Sequence, residues 1–238
     1  MSLAEKSKPF LDYLEAWLAS LPSLTFGEAL PNPEKSAIIS IDVINGFLYE
    51  GHLASPRVAA IDIPITNLMR NAWEEGLRDI LLVQDAHQER TEEFSEFGSH
   101  ALKGSSEAET IDMIKALPFF DKMSIVYKDS IHPALNNGFD AWLFDRNYLE
   151  TIIAVGDVTD LCLYQLAMYL KLKSNANRKN WRVIVPENCT QTWHLSVEDA
   201  QDLLAKPHHG DMLHAIFLNH LALNGVEIVK SIAAPEPT

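Results

Sequence analysis

Short apolar runs punctuate the chain, each followed by a longer stretch in which apolar residues recur at helical spacing. Six runs read as strands: AIISID (37–42), DILLVQD (79–85), SIVYK (124–128), TIIAVG (151–156), WRVIVP (181–186) and VEIVK (226–230). They are rich in Val and Ile and nearly continuous, as expected of strands covered on both faces. Residues 58–76, 107–117, 137–148, 161–173, 197–206 and 211–224 carry the helical period, and Gly76 and Gly225 stand where helices would stop. Alternation of the two patterns predicts a three-layer α/β/α fold around a six-stranded, mostly parallel, doubly wound sheet. Upstream, FLDYLEAWLASL predicts a further helix with Phe10, Tyr13, Leu14 and Trp17 on one face, expected to dock on the domain or on another subunit. Residues 1–35 therefore read as an N-terminal helix and connection, with SLTFGEALPNPEKS only a link into the first strand, and 36–238 as one domain.

Composition narrows the partners. With 238 residues, 47% of them hydrophobic, the chain can bury one sizeable core. Its formal net charge of −14, with Lys and Arg scattered among more numerous acids, excludes the basic stripe that nucleic-acid binding requires. No run approaches the roughly 18 to 20 apolar residues of a membrane span, and MSLAEKSKPF lacks a basic-then-apolar signal pattern, so a cytoplasmic protein is expected. Two cysteines, Cys162 and Cys189, are too few for a disulfide framework. What remains is a small-molecule ligand, with a homo-oligomer allowed by the apolar N-terminal face.

In a doubly wound, Rossmann-like sheet, ligands sit beyond the carboxyl ends of the strands. Asp42, Asp85 and Lys128 end the first three strands, and Cys162 follows the fourth by one short turn, GDVTDLC. Thr159 or Asp160 is placed to cap the helix after that turn, and Cys162 would lie in its first turn, where backbone N–H groups favour thiolate. Each residue also has an ordinary reading: Cys162 as a small buried hydrophobe, Asp42 as a cap and Lys128 as a solvated strand end. After the second strand, Asp85 and His87 are two apart and face one side of an extended segment, and the following loop can return His100. One carboxylate and two imidazoles suit a divalent metal, zinc first, with manganese or iron compatible. An Asp-x-His pair alone is a weak signal.

Three motifs, in order, resemble those of the isochorismatase-like cysteine hydrolases, and within them the nicotinamidase (pyrazinamidase) branch. IDVINGF (41–47) is similar to the first-strand motif, Lys128 in VYKDS to the lysine after the third strand, and GDVTDLC to the nucleophile segment GVxTDxC. The resemblance runs from about residue 36 to 230. It implies that Asp42, Lys128 and Cys162 form a catalytic triad acting on a small-molecule amide, and that the backbone N–H groups of Val158 and Cys162 hold an oxyanion. It further implies a cis peptide between Asp157 and Val158, metal ligation by Asp85, His87 and His100, and a flat ring held between Phe47 and Phe97.

The chain departs from the pattern in places. Asp157 stands where the family usually has an apolar residue, FGSHA replaces WPPHC, and DSIHPALNNGF after Lys128 leaves one pocket wall without precedent. Glu93 and Glu96 are further ligand candidates or solvated loop carboxylates; Cys189 reads as packing, and His132, His194, His208 and His209 as loop residues without a role. The expected activity is hydrolysis of nicotinamide to nicotinate and ammonia through a thioester. The alternatives are another amidase of the superfamily, acting on a carbamoyl or ureido compound, an isochorismatase-type ether hydrolase, or a non-catalytic module that binds a metabolite.

Overall fold

All six apolar runs form strands in the computed structural model, which describes residues 1–203 and 205–233. In chain order the strands are β1 (Ser23–Thr25), β2 (Ser36–Ile41), β3 (Asp79–Asp85), β4 (Ser124–Lys128), β5 (Thr151–Asp157), β6 (Arg182–Pro186), β7 (Thr190–Gln191), β8 (Glu227–Val229) and β9 (Ser231–Ala233). The main sheet has seven strands, one more than expected: the order β4-β3-β2-β5-β6-β8, with the two-residue β7 pairing β5 beyond the end of β6. Every pairing is parallel. A second, two-stranded sheet joins β1 to β9, so the segment expected to be a mere connection carries a strand and a capped helical turn, Phe26–Ala29.

Alternation along the strands explains the three layers. Ile38, Ile80, Leu82, Ile153, Val155 and Ile184 bury against one set of helices, with Ile65, Leu68, Met69 and Ala72 of the helix Asp62–Glu74. Ala37, Ile39, Ile41, Leu81, Val83, Ile152 and Ala154 point the other way, onto the helices Phe139–Asp145, Cys162–Asn177 and Gly210–Leu223. Burying both faces is why these strands read as unbroken apolar runs.

Helical periods were less faithful to boundaries. The stretch 58–76 divides into Pro56–Ala59 and Asp62–Glu74, and 107–117 into a 3₁₀ turn, Ser106–Ala108, and a single helical turn, Asp112–Lys115. The segment 197–206 is helical over Val197–Asp202, with Leu204 outside the described residues, as are residues 234–238. The N-terminal helix Leu3–Ala19 begins in a capping box, Ser2 with Glu5. It docks on the chain itself through Leu14, with Trp17 and Leu18 partly buried, while Phe10 and Tyr13 of the expected stripe remain exposed. Among the described residues no helix is long and apolar enough to cross a membrane.

Strand order reverses between β2 and β5, since β2 has β3 on one side and β5 on the other. The cleft beyond their carboxyl ends is where such a fold places its ligand. Backbone geometry shapes that cleft: Gly156 has φ +117°, and a Cβ there would lie 2.0 Å from the Ile41 carbonyl oxygen. Only glycine permits this approach of β5 to β2. Asp42, immediately past β2, takes the left-handed conformation at φ 58°, which Asp tolerates better than most residues.

Candidate active site

At the reversal point, a cavity of about 510 Å³ opens among the ends of β2, β3 and β5 and two long loops. Its wall includes Asp42, Asp85, His100, Asp157, Val158 and Cys162 from the sheet edge, and Phe47, Phe97, Glu93 and Trp193 from the loops. No Lys or Arg among the described residues lines it.

Asp42, Lys128 and Cys162 come together behind this wall. The Lys128 side chain has no exposure; its Nζ lies 2.8 Å from Asp42 Oδ2, donates to Asp85 Oδ1 at 2.6 Å, and reaches Cys162 Sγ at 3.6 Å. Asp42 Oδ1 accepts the Asp85 backbone N–H at 2.9 Å, which fixes the carboxylate plane. A solvated strand-end lysine and a simple cap are thus excluded for Lys128 and Asp42. Cys162 is the first residue of its helix, but neither Thr159 nor Asp160 caps it. Thr159 Oγ1 instead bonds Thr190 Oγ1 and His214 Nδ1, and Asp160 Oδ2 bonds His208 Nε2 at 2.7 Å.

Electrostatics bear on a second expectation. Burial, opposed by Lys128, pushes the Cys162 thiol well above its ordinary range, against the thiolate that a helix N-terminus favours. Asp42 is pushed up to about 7, first by burial and then by Asp85, against the pull of Lys128. Burial also opposes the charge on Lys128, yet Asp42 and Asp85 hold its ammonium firmly protonated. The set places a sulfur beside a carboxyl pushed up to about 7, with an ammonium to hold that carboxyl in place, an arrangement chemically able to pair a general base with a nucleophile.

The turn between β5 and the helix contains the expected cis peptide, Asp157–Val158. Val158 and Cys162 both line the cavity wall, where the N–H of a first helical turn lacks a helical acceptor. Phe47 and Phe97 also reach the wall, with ring centroids 5.6 and 6.4 Å from the His100 ring.

Asp85, His87 and His100 are buried, and their ligand atoms lie within 4.8 Å of one another. Both imidazoles are oriented from behind. His87 Nδ1 donates to Asp129 Oδ1 at 2.6 Å and His100 Nδ1 donates to the Gly98 carbonyl at 2.9 Å, which turns both Nε2 atoms inward. His87 Nε2 is buried without a hydrogen-bond partner. Burial opposes charge on His87, but Asp85 and Asp129 outweigh it and push the ring up to about 9. The same field would draw a dication, and a carboxylate with two imidazoles fits zinc, so these residues suit the expected metal. Of the two further candidates, Glu93 lines the cavity, whereas Glu96 pairs on the surface with Lys206.

Sequence reasoning missed several contributors. Asp129 gave no sign of its partnership with His87, although its place directly after Lys128 puts it at the same sheet edge. Trp193 lay unread, and two histidines read as loop residues without a role sit near the site: His194 lines the cavity, and His208 stacks on the wall residue Trp193 with ring centroids 3.6 Å apart. Cys189 is buried in the core as expected, and both cysteines are free thiols.

Fold and site together define a doubly wound α/β protein with a buried cysteine at the sheet's reversal point. Residues 36–215 match the isochorismatase domain, and the chain belongs to that family of hydrolases. Solved structures agree in fold. A cysteine hydrolase from Pseudomonas syringae is 18% identical, with a TM-score of 0.67, over 83% of this chain and 89% of that one. The pyrazinamidase/nicotinamidase of Streptococcus mutans is 21% identical, with a TM-score of 0.64, over 82% and 99%. N-carbamoylsarcosine amidase from Thermoplasma acidophilum is 20% identical, with a TM-score of 0.60, over 85% and 99%. No curated protein matches the chain in sequence.

Proposed function

We propose that this hydrolase is a metal-dependent cysteine amidohydrolase that converts nicotinamide, or a close aromatic carboxamide, to the acid and ammonia. The observation that carries the reading is that Lys128 joins the Asp42–Cys162 pair to the Asp85–His87–His100 cluster at the end of one cavity. Asp85, His87 and His100 would hold a divalent cation, which would supply Lewis-acid chemistry toward a ring nitrogen. The wall supports a neutral substrate: Asp42, Asp85, Glu93 and Asp157 contribute carboxyl groups, and no Lys or Arg among its described residues answers a substrate carboxylate. Phe47, Phe97 and Trp193 provide flat apolar surface for a ring.

Asp42 accepts the Cys162 proton as the sulfur attacks the carboxamide carbon, and the N–H groups of Val158 and Cys162 bind the resulting oxyanion. Collapse expels the amine, which takes the proton back from Asp42 and leaves as ammonia. Water then attacks the thioester while Asp42 removes its proton; the acid departs and Cys162 recovers its hydrogen. Throughout, Lys128 keeps Asp42 oriented and offsets negative charge on sulfur.

The test is ammonia release from nicotinamide together with elemental analysis of the purified protein. Turnover and about one bound metal are expected, and Cys162→Ala should lose at least roughly a thousandfold in rate, as when a nucleophile is removed. Absence of turnover in protein that retains its metal would sink the nicotinamide assignment. Turnover of a ureido compound by metal-free protein would move the activity to the carbamoyl amidases.

A further inference from the structure

Asp157 lines the cavity yet has no task in the chemistry above. It is the last residue of β5 and 1% exposed, and its Oδ2 is buried with no hydrogen-bond partner. Leaving such an atom unpaired is destabilising, and an apolar side chain, which the family pattern puts here, would avoid that cost. The backbone fixes its location. Gly156 pairs with Ile41 and approaches it so closely that the next residues, Asp157 and Asp42, stand side by side at the ends of neighbouring strands.

Since Asp42 already holds the Lys128 ammonium, a second carboxyl beside it keeps its proton. Burial, then repulsion from Asp42, push Asp157 well above the usual range, against the pull of Lys128. A neutral carboxyl retains an acceptor oxygen. In amide hydrolysis the group that comes to Asp42 is the leaving nitrogen, which takes the Asp42 proton on its lone pair and keeps its two N–H bonds for a neighbouring acceptor. We infer that Asp157 is a specificity residue that accepts a hydrogen bond from the leaving NH₂ of a primary carboxamide, so that the pocket prefers primary amides to esters of the same acid. The inference rests on the amidohydrolase reading and adds to it the feature of the substrate that is recognised.

The experiment measures kcat/KM for matched pairs, nicotinamide with methyl nicotinate and benzamide with methyl benzoate, on wild type, Asp157→Val, Asp157→Ala and Asp157→Asn. The Val and Ala variants should lose roughly 10- to 100-fold on the amides and less than about threefold on the esters, which have no N–H to lose. Asn keeps a carbonyl acceptor, so its amide rates should stay within about fivefold of wild type. Thermal unfolding should show the Ala and Val variants at least as stable as wild type, because an unpaired buried group has gone. Equal losses on amides and esters, or a clear fall in Tm in both variants, would make Asp157 a scaffold residue and overturn the inference; so would unchanged amide rates. Turnover of benzamide but not nicotinamide overturns the nicotinamide reading alone, and the benzamide pair still decides the role of Asp157. Failure on every amide overturns both.

Discussion

At Lys128 one ammonium faces two carboxylates and a thiol with its side chain wholly out of water. Such a charge survives burial only through its partners, and removing it strands both carboxylates. Lys128→Met should therefore destabilise the protein by about 3 to 5 kcal/mol at pH 7, read from urea unfolding. Asp160 supplies the opposite pH lesson. Burial pushes its carboxyl up, but His208 and Thr192 outweigh that and hold it below the usual range. A depressed folded-state pKa gives stability that is present above the unfolded value near 4 and is lost as pH falls through the folded value. Asp160→Asn should lower Tm at pH 7 and flatten its decline on the acid side of about pH 4, which a series of melts would show.

Strands and helices differ in how openly they declare themselves, and Gly156 shows what a strand must do beyond being apolar. Gly156→Ala forces a Cβ against the Ile41 carbonyl and a strained φ, so soluble folded protein should fall sharply, or stability drop by more than about 3 kcal/mol in a chevron or melt. The main strands were legible because burial on both faces demands Val and Ile without interruption. β1, β7 and β9 were not, since two or three residues carry no period. Asp42, Lys128 and Cys162 could be placed at strand ends because the edge of a parallel sheet is a geometric consequence of strand order. Resting protonation could not be read, because it depends on how completely Cys162 is buried. Nor could the pairing of His87 with Asp129, or that of Asp160 with His208, which join residues 42 and 48 positions apart.

Across the molecule, the chain's two ends brace one another. β1 pairs β9, the Lys230 N–H donates to the Pro22 carbonyl at 2.7 Å, and the helix Leu3–Ala19 lies against Gly210–Leu223. Removing residues 1–19 strips buried Leu14 and the partial cover of Trp17 and Leu18. It should cost on the order of 3 to 5 kcal/mol, measurable as a lower urea midpoint, while any metal binding should be unchanged because none of these residues belongs to the Asp85, His87 and His100 cluster. An acid-rich cavity wall has its own consequence for the direction of flow. Under the proposed activity a neutral carboxamide would enter without penalty, and the product would be an anion among Asp42, Asp85, Glu93 and Asp157, with no Lys or Arg among the described residues of the wall to retain it. Added product acid should accordingly bind feebly at neutral pH to protein stripped of metal, and any firmer retention in the loaded protein would come from the cation held by Asp85, His87 and His100.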